Sequence, residues 1–329
     1  MNNDISGNVL ITGGTGSWGM VLTRRLLNNK NINKIIVLSR NEHKQVEMKR
    51  YFNSKKIIFK IGDVRDIEIM RIITKNIDIL FHLAALKHVP VCEENSWESV
   101  QTNIIGTHNI INSCIENKVK IMVDVSTDKA VEPHNIYGIT KACAEKLVVN
   151  SFHNYQSSTR FICIRGGNVV GTNGSVIPLF LKQLREFNYL TLTEPTMTRY
   201  LMKTTDAIDL IFKAINISKG GEIFVMRMKA ISIENLADSI IKLFGNKKSS
   251  KKILGRRPGE KIHEVLVSKN ENHLTYEINP DLYVIVPENI ADTYSYPKEW
   301  KKMSKSEFTS NNAEKLTEND IETLLSNEN

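Results

Sequence analysis

The feature that most limits what this chain can fold into is the run Thr12-Gly-Gly-Thr-Gly-Ser-Trp-Gly19, which directly follows a short β-branched apolar segment at 9–12 and opens a helical stretch at 18–27. Glycines at 13, 16 and 19 allow a tight turn and let backbone come close to a ligand. The helix that follows turns its unpaired N–H groups and positive dipole end toward a pyrophosphate. The spacing differs from G-x-G-x-x-G, and a glycine turn alone is weak evidence. The strand before it and the helix after it carry the inference. Thr12, Gly13, Thr15, Gly16, Ser17, Trp18 and Gly19 are the first candidate cofactor-binding residues.

The rest of the first half repeats this unit. Strand-sized apolar runs at 35–38, 57–61, 79–82, 121–125 and 161–164 alternate with helical stretches at 18–27, 66–74, 97–116 and 137–152. Runs that are apolar on both faces predict a parallel sheet covered by helices on each side, a doubly wound α/β domain over 1–165. Beyond Arg165 the rhythm loosens into a helix at 178–186, a strand at 221–225 and a helix opening at Ser232. In that last helix Ile233, Leu236, Ala237, Ile240, Ile241 and Phe244 form one apolar stripe, with Ser232 as N-cap and Gly245 as stop. We expect 166–298 to be a smaller α/β lobe with segments returning to the first domain. Residues 299–329 read as a polar tail in which Leu316 and 321–325 can dock as a short helix.

Composition removes several classes of function. With 41% hydrophobic and 24% charged residues, the 329-residue chain is neither disordered nor fibrous. No run approaches the ~18 apolar residues of a membrane helix. The start lacks a basic region followed by an apolar one, so a cytoplasmic protein is expected. Cys92, Cys114, Cys143 and Cys163 form no C-x-x-C pair and read as buried thiols, with no metal site. The net charge of +8 is densest at 247–261, where seven basic residues meet only Glu260. No nucleic-acid-binding module accompanies it, so part of this cluster is assigned to a small anionic ligand. Lys247, Lys248, Lys251 and Lys252 are assigned to a solvated loop.

At the end of the second strand, where an NAD enzyme offers a carboxylate to the ribose, stands Leu38-Ser39-Arg40. Arg40, with Ser39 and Lys44, suits a 2′-phosphate through charge-assisted bonds, which points to NADP. Asp63, followed by Val64, can accept from the adenine amino group. Farther along, Tyr137 and Lys141 lie one turn apart on a helix face. A neighbouring ammonium favours the phenolate of a tyrosine whose ordinary pKa is about 10. Tyr137 can then take a hydroxyl proton as hydride leaves the same carbon. Ser126-Thr-Asp-Lys-Ala130, just upstream, adds an acid and an amine.

These motifs resemble the extended short-chain dehydrogenase/reductase superfamily, with its Rossmann domain. Within it, the chain is similar to the nucleotide-sugar 4,6-dehydratases, above all those that act on UDP-N-acetylglucosamine with inversion at C5 in bacterial cell-surface glycan synthesis. Ala84-Ala-Leu-Lys-His-Val-Pro90, Thr102-Asn-Ile-Ile-Gly106, Gly167-Asn-Val-Val-Gly171, Met197-Thr-Arg199 and Arg257-Pro-Gly-Glu-Lys-Ile-His-Glu264 complete the pattern in order. The resemblance implies tightly held NADP regenerated each turnover, with Ala84, Ala85 and Lys87 beside it. It assigns Asp128 as the acid for water loss and Lys129 as the C5 base, its pKa lowered by burial or nearby cations. Thr127 faces the sugar with Lys87 and His88. Asn168, Arg199 and Arg257 grip the diphosphate, and Glu260 its ribose. A homo-oligomer joined through the helices at 97–116 and 137–152 is expected, either a dimer or a hexamer.

The chain departs from the pattern at Gly166, where an aromatic residue is usual, at Asn173 and at Tyr200-Leu201. These leave the exact sugar open. Three alternatives stand beside the leading one: a UDP-sugar 4-epimerase, a C5-retaining dehydratase of another UDP-hexose, and an NADP-binding regulator.

Overall fold

The computed structural model describes residues 5–155, 157–170, 176–256, 259–288 and 297–325. Six strands build the first half: β1 (Gly7–Thr12), β2 (Ile32–Ser39), β3 (Ile57–Ile61), β4 (Ile79–His82), β5 (Ile121–Thr127) and β6 (Arg160–Gly166). The second half adds β7 (Asn168–Val170), β8 (Tyr189–Leu192), β9 (Thr198–Lys203), β10 (Ile223–Met226), β11 (Ala230–Ser232) and β12 (Ser250–Ile253). The last five are β13 (Val265–Val267), β14 (Thr275–Asn279), β15 (Leu282–Ile285), β16 (Lys301–Lys302) and β17 (Phe308–Thr309).

The main sheet has the order β16-β14-β15-β10-β6-β5-β4-β1-β2-β3, parallel from β3 through β10 and antiparallel beyond. This is the doubly wound sheet that the alternating runs predict. β4 and β10 are buried at every position, because helices cover both faces. The strand order reverses at β1, which has β2 on one side and β4 on the other, so the loops leaving β1 and β4 diverge into a crevice.

The covering helices are α1 (Ser17–Leu27), α2 (Glu42–Phe52), α3 (Ile67–Ile73), α4 (Val89–Glu94), α5 (Ser96–Val100), α6 (Gly106–Glu116) and α7 (Ile136–Asn154). The single helix expected at 97–116 is interrupted by a π-turn, Gln101–Ile105. The wide turn directs buried Asn103 at the loop after β4. Its side chain accepts from Leu86 N (2.9 Å) and donates to Leu86 O (3.0 Å) and Thr140 Oγ1 (3.0 Å). Such turns recur next to functional sites.

A smaller core lies in the second half. There α8 (Val176–Phe187) and α10 (Ile233–Phe244) pack Ile177, Phe180, Leu184, Leu236 and Ile240 together, while α9 (Thr204–Ile217) covers the main sheet. Ser232 caps α10, its Oγ accepting from Asn235 N at 3.1 Å. The segment read as a polar tail is built in: β16 extends the main sheet, β17 pairs with β13, and the helix Glu318–Leu325 buries Ile321, Leu324 and Leu325 in the smaller core.

Two further expectations are corrected. Cys143 is exposed on α7, while the other three cysteines are buried. Lys251 and Lys252 are exposed to solvent as expected, but they belong to the strand β12 and not to a loop. Lys251 pairs with Asp238 (2.7 Å) and Glu234 (3.3 Å), and Lys252 sits 3.7 Å over the Tyr189 ring. Among the described residues no helix is long and apolar enough to cross a membrane, and no metal-binding cluster occurs.

Candidate active site

The crevice at the switch point opens into a cleft of about 1240 Å³. Its floor is the turn after β1. Gly13 has φ +66°, and a side chain there would strike Ala84 N at 2.7 Å. No side chain caps the N-terminus of α1 and its first turn carries no acid, so its N–H end remains suited to an anion. These features fit a dinucleotide pyrophosphate. Gly13, Thr15, Gly16, Ser17, Trp18 and Gly19 all line the cleft. Thr12 does not. It is fully buried beneath the turn, its Oγ1 2.8 Å from His82 Nδ1, so it supports the loop without reaching a ligand.

At the far end, Ser39, Arg40, Lys44, Asp63 and Val64 line the same space. The Ser39 hydroxyl accepts from Gln45 Nε2 at 3.0 Å. Burial pushes the Asp63 carboxyl up, but bonds from the Arg65 side chain and backbone, with Arg40 3.7 Å away, hold it below the usual range. Arg40 itself is half exposed at the mouth.

The chemical end is assembled from β5, the turn after it and α7. Asn135 caps α7 by accepting from Gly138 N at 2.9 Å. A side chain at 138 would lie 2.2 Å from Lys129 O, so glycine lets Tyr137 approach the Lys129 turn. Thr127, Lys129, Tyr137 and Lys141 all line the cleft. Tyr137 stands within hydrogen-bonding reach of the Thr127 side chain. Its phenol is pushed upward by burial, which outweighs Lys141 and Lys129. That corrects the simple expectation of a phenolate. The Lys141 ammonium is spent on a buried carboxylate, Asp124, at 3.1 Å to each oxygen.

Asp128 is fully buried and does not line the cleft, so it makes no direct approach to a sugar hydroxyl. It reaches the cleft through two groups that do: its Oδ1 accepts from Lys129 Nζ (2.9 Å) and Thr127 Oγ1 (3.0 Å). Lys129 also lies 3.4 Å from Glu264 Oε1. Burial works to lower the Lys129 pKa, but Asp128 and Glu264 overrule it and raise it, the reverse of what was expected for a base. Burial raises Asp128 against the pull of Lys129. Burial also pushes Glu264 up, but Lys129, Arg199 and Lys261 bring it below its ordinary value. Among the described residues Asp128 Oδ2 and Glu264 Oε2 find no hydrogen-bond partner, so each carboxylate retains an oxygen that can take a proton.

Glu264, Asp124 and Asn103 were given no role from the sequence. A carboxylate inside the apolar run 121–125 was the visible sign of Asp124. Glu264 had only its place in the 257–264 motif.

Lys87, His88, Ala84, Ala85, Asn168, Arg199 and Glu260 line the cleft as expected, and Arg257 lies outside the described residues. Arg199 is not a free phosphate ligand. Its guanidinium donates to Thr198 O (2.8 Å), Ile262 O (3.1 Å) and Lys261 O (2.9 Å), and its Nε is 3.7 Å from Glu264 Oε1. It therefore clamps the 261–264 segment to β9. Where an aromatic residue was expected, a side chain at Gly166 would meet Met226 Sδ at 3.2 Å, so a methionine fills that space.

Residues 9–287 match the polysaccharide biosynthesis protein family. The chain is 44% identical over 284 residues to a UDP-N-acetylglucosamine 4,6-dehydratase (inverting) of Campylobacter jejuni subsp. jejuni serotype O:23/36, spanning 85% of this chain and 83% of that one. It is 39% identical over 327 residues to a UDP-glucose 4-epimerase of Rickettsia bellii, spanning 97% and 95%. The X-ray structure of Pen from Bacillus thuringiensis superposes with a TM-score of 0.89 at 35% identity, covering 99% of this chain and 98% of that one. DesIV, a dTDP-glucose 4,6-dehydratase from Streptomyces venezuelae with NAD and TYD bound, shares the fold at a TM-score of 0.71 and 22% identity, covering 78% and 86%. By the extent of these matches and by its sheet, the chain belongs to the polysaccharide biosynthesis protein family.

Proposed function

We propose that the chain is a UDP-N-acetylglucosamine 4,6-dehydratase that inverts C5, using NADP and giving UDP-2-acetamido-2,6-dideoxy-β-L-arabino-hex-4-ulose. A nicotinamide dinucleotide bound in the cleft supplies a hydride acceptor that returns the hydride in the same turnover. Tyr137 takes the O4 proton, and Thr127 holds the sugar near it. The resulting 4-ketone acidifies C5–H. Lys129, the amine presented to the cleft, handles the C5 proton once its own proton has passed along the 2.9 Å bond to Asp128. The departing 6-hydroxyl takes a proton through Lys129 or Thr127, the hydride adds to C6, and a proton delivered to the face of C5 opposite the one it left completes the inversion, so the net loss is one water. Arg40 and Lys44 favour the 2′-phosphate of NADP.

One observation carries this reading: an amine backed by two buried carboxylates shares the cleft with the Tyr137–Lys141 pair. Epimerisation at C4 needs only the pair. The epimerase reading keeps a place because the Rickettsia relative matches over nearly the whole chain. For the homo-oligomer, α5 and α7 offer exposed Trp97, Ile139 and Cys143.

Proton NMR of UDP-N-acetylglucosamine incubated with the protein in D₂O tests the proposal. A 6-deoxy-4-keto product with deuterium at C5 and L-arabino couplings is expected. Two interconverting hexoses without water loss would establish the epimerase instead. In Lys129→Ala we expect reduced cofactor to accumulate without dehydration.

A further inference from the structure

The strand that delivers Thr127 to the cleft carries a charge that the steps above leave unused. Asp124 is fully buried in the middle of β5, in register with His82 of β4 and Cys163 of β6. A carboxylate in such a place is costly unless it is paired and hydrogen-bonded. Its partner is Lys141, whose Nζ stands 3.1 Å from both oxygens. Lys141 lines the cleft and Asp124 does not, so any effect of Asp124 on chemistry passes through the lysine.

We propose that Asp124 is a positioning residue for the Tyr137–Lys141 pair: it fixes the lysine between its two oxygens, keeps it charged, and offsets part of that charge at the Tyr137 phenol. The resting group of phenol, ammonium and carboxylate then has no net charge. The other groups around it do not replace this carboxylate. His82, from β4, is held neutral by burial with a pKa of about 4. Burial likewise keeps the Cys163 thiol of β6 protonated. Glu145 of α7 is bound to Arg165. From the turn after β5, Asp128 and Lys129 are paired with each other.

The sign of the effect follows from charge alone. In Asp124→Asn the phenol and the ammonium together carry an uncompensated buried positive charge. They shed their first shared proton at lower pH, whichever of the two loses it. Formation of the reduced cofactor needs that proton gone, so its rate midpoint moves to lower pH. A shift of about one unit is the low end for a charge this close.

The proposal rests on the reading of Tyr137 as the base, and the test separates the two. Single-turnover formation of NADPH from UDP-N-acetylglucosamine is followed against pH in wild type, Asp124→Asn and Asp124→Glu, with thermal unfolding of each across the same range. If wild type forms no NADPH, the base reading fails, and this proposal with it. The expected result is an acid shift of the midpoint in Asp124→Asn, with Asp124→Glu retaining the wild-type midpoint. Wherever below about pH 10 the folded Asn variant has lost a proton that the unfolded chain still holds, its stability deficit narrows as pH rises. A narrowing deficit with an unmoved midpoint makes Asp124 structural only and overturns the proposal. Asp124→Ser gives the same reading if Asn does not fold.

Discussion

Gly19→Ala probes the cofactor turn with a single methyl group. A Cβ at 19 would lie 2.1 Å from Gly14 O, 2.4 Å from Gly14 C and 2.5 Å from Gly14 Cα. All three neighbours are main chain, so no side chain can swing aside. Bringing the nearest contact out to 3.0 Å requires the start of α1 and the turn to separate by about 0.9 Å, the difference between 3.0 and 2.1. Overpacking of this kind costs about 1–3 kcal/mol. If the loss falls on the bound state, cofactor affinity drops by about 5- to 150-fold, at about 1.4 kcal/mol per tenfold. Gly16→Ala is the control. Its Cβ would meet only Gly13 O at 3.3 Å, and φ at 16 is −78°, so a methyl group fits with a small adjustment. NADPH fluorescence titrations of the cofactor-stripped variants, with thermal melts, measure both terms. Wild-type affinity in Gly19→Ala, or equal losses in the two variants, would refute the reasoning.

Three other variants test the rest of the site. Glu264→Gln removes a carboxylate 3.4 Å from Lys129 Nζ, so the lysine gives up its proton more readily and the acid limb of the dehydration rate moves to lower pH. An unmoved limb in the C5 deuterium assay would show that Glu264 does not act on Lys129. Arg40→Ala should weaken NADP about tenfold or more and NAD far less, since only NADP loses a charge-assisted bond. Equal losses would end the 2′-phosphate assignment. Arg165→Met leaves Glu145, which is 3% exposed, without the guanidinium it binds, and should cost about 3–5 kcal/mol in chemical unfolding. An unchanged unfolding midpoint would show that the Arg165, Glu145 and Glu271 cluster adds nothing net.

Where local rules decide the structure, the sequence is readable. The glycine turn between β1 and α1, the Ser232 cap, and Tyr137 and Lys141 one turn apart all depend on residues a few positions from one another. The alternation of apolar runs fixed the sheet type because a strand covered on both faces must be apolar at every position. What it could not reveal was the break at Gln101–Ile105, where Gly106 beside it stays helical and a bond from Asn103 reaches a distant loop.

The sequence by itself determined that the chain is a doubly wound α/β protein with a dinucleotide turn and a Tyr/Lys pair, and which family it joins. The tertiary structure alone decided the charge state around the reacting groups. Lys129 keeps its proton because its neighbour Asp128 and, brought from a remote segment, Glu264 together outweigh burial. That segment is clamped by Arg199 and pinned by Ser310, which accepts from Glu264 N at 2.9 Å and lies in what reads as a polar tail. Tyr137 keeps its proton because burial in the folded cleft outweighs the pull of Lys141 and Lys129. Proton affinities are set by charges a few ångströms away in space, and separation along the chain does not encode them.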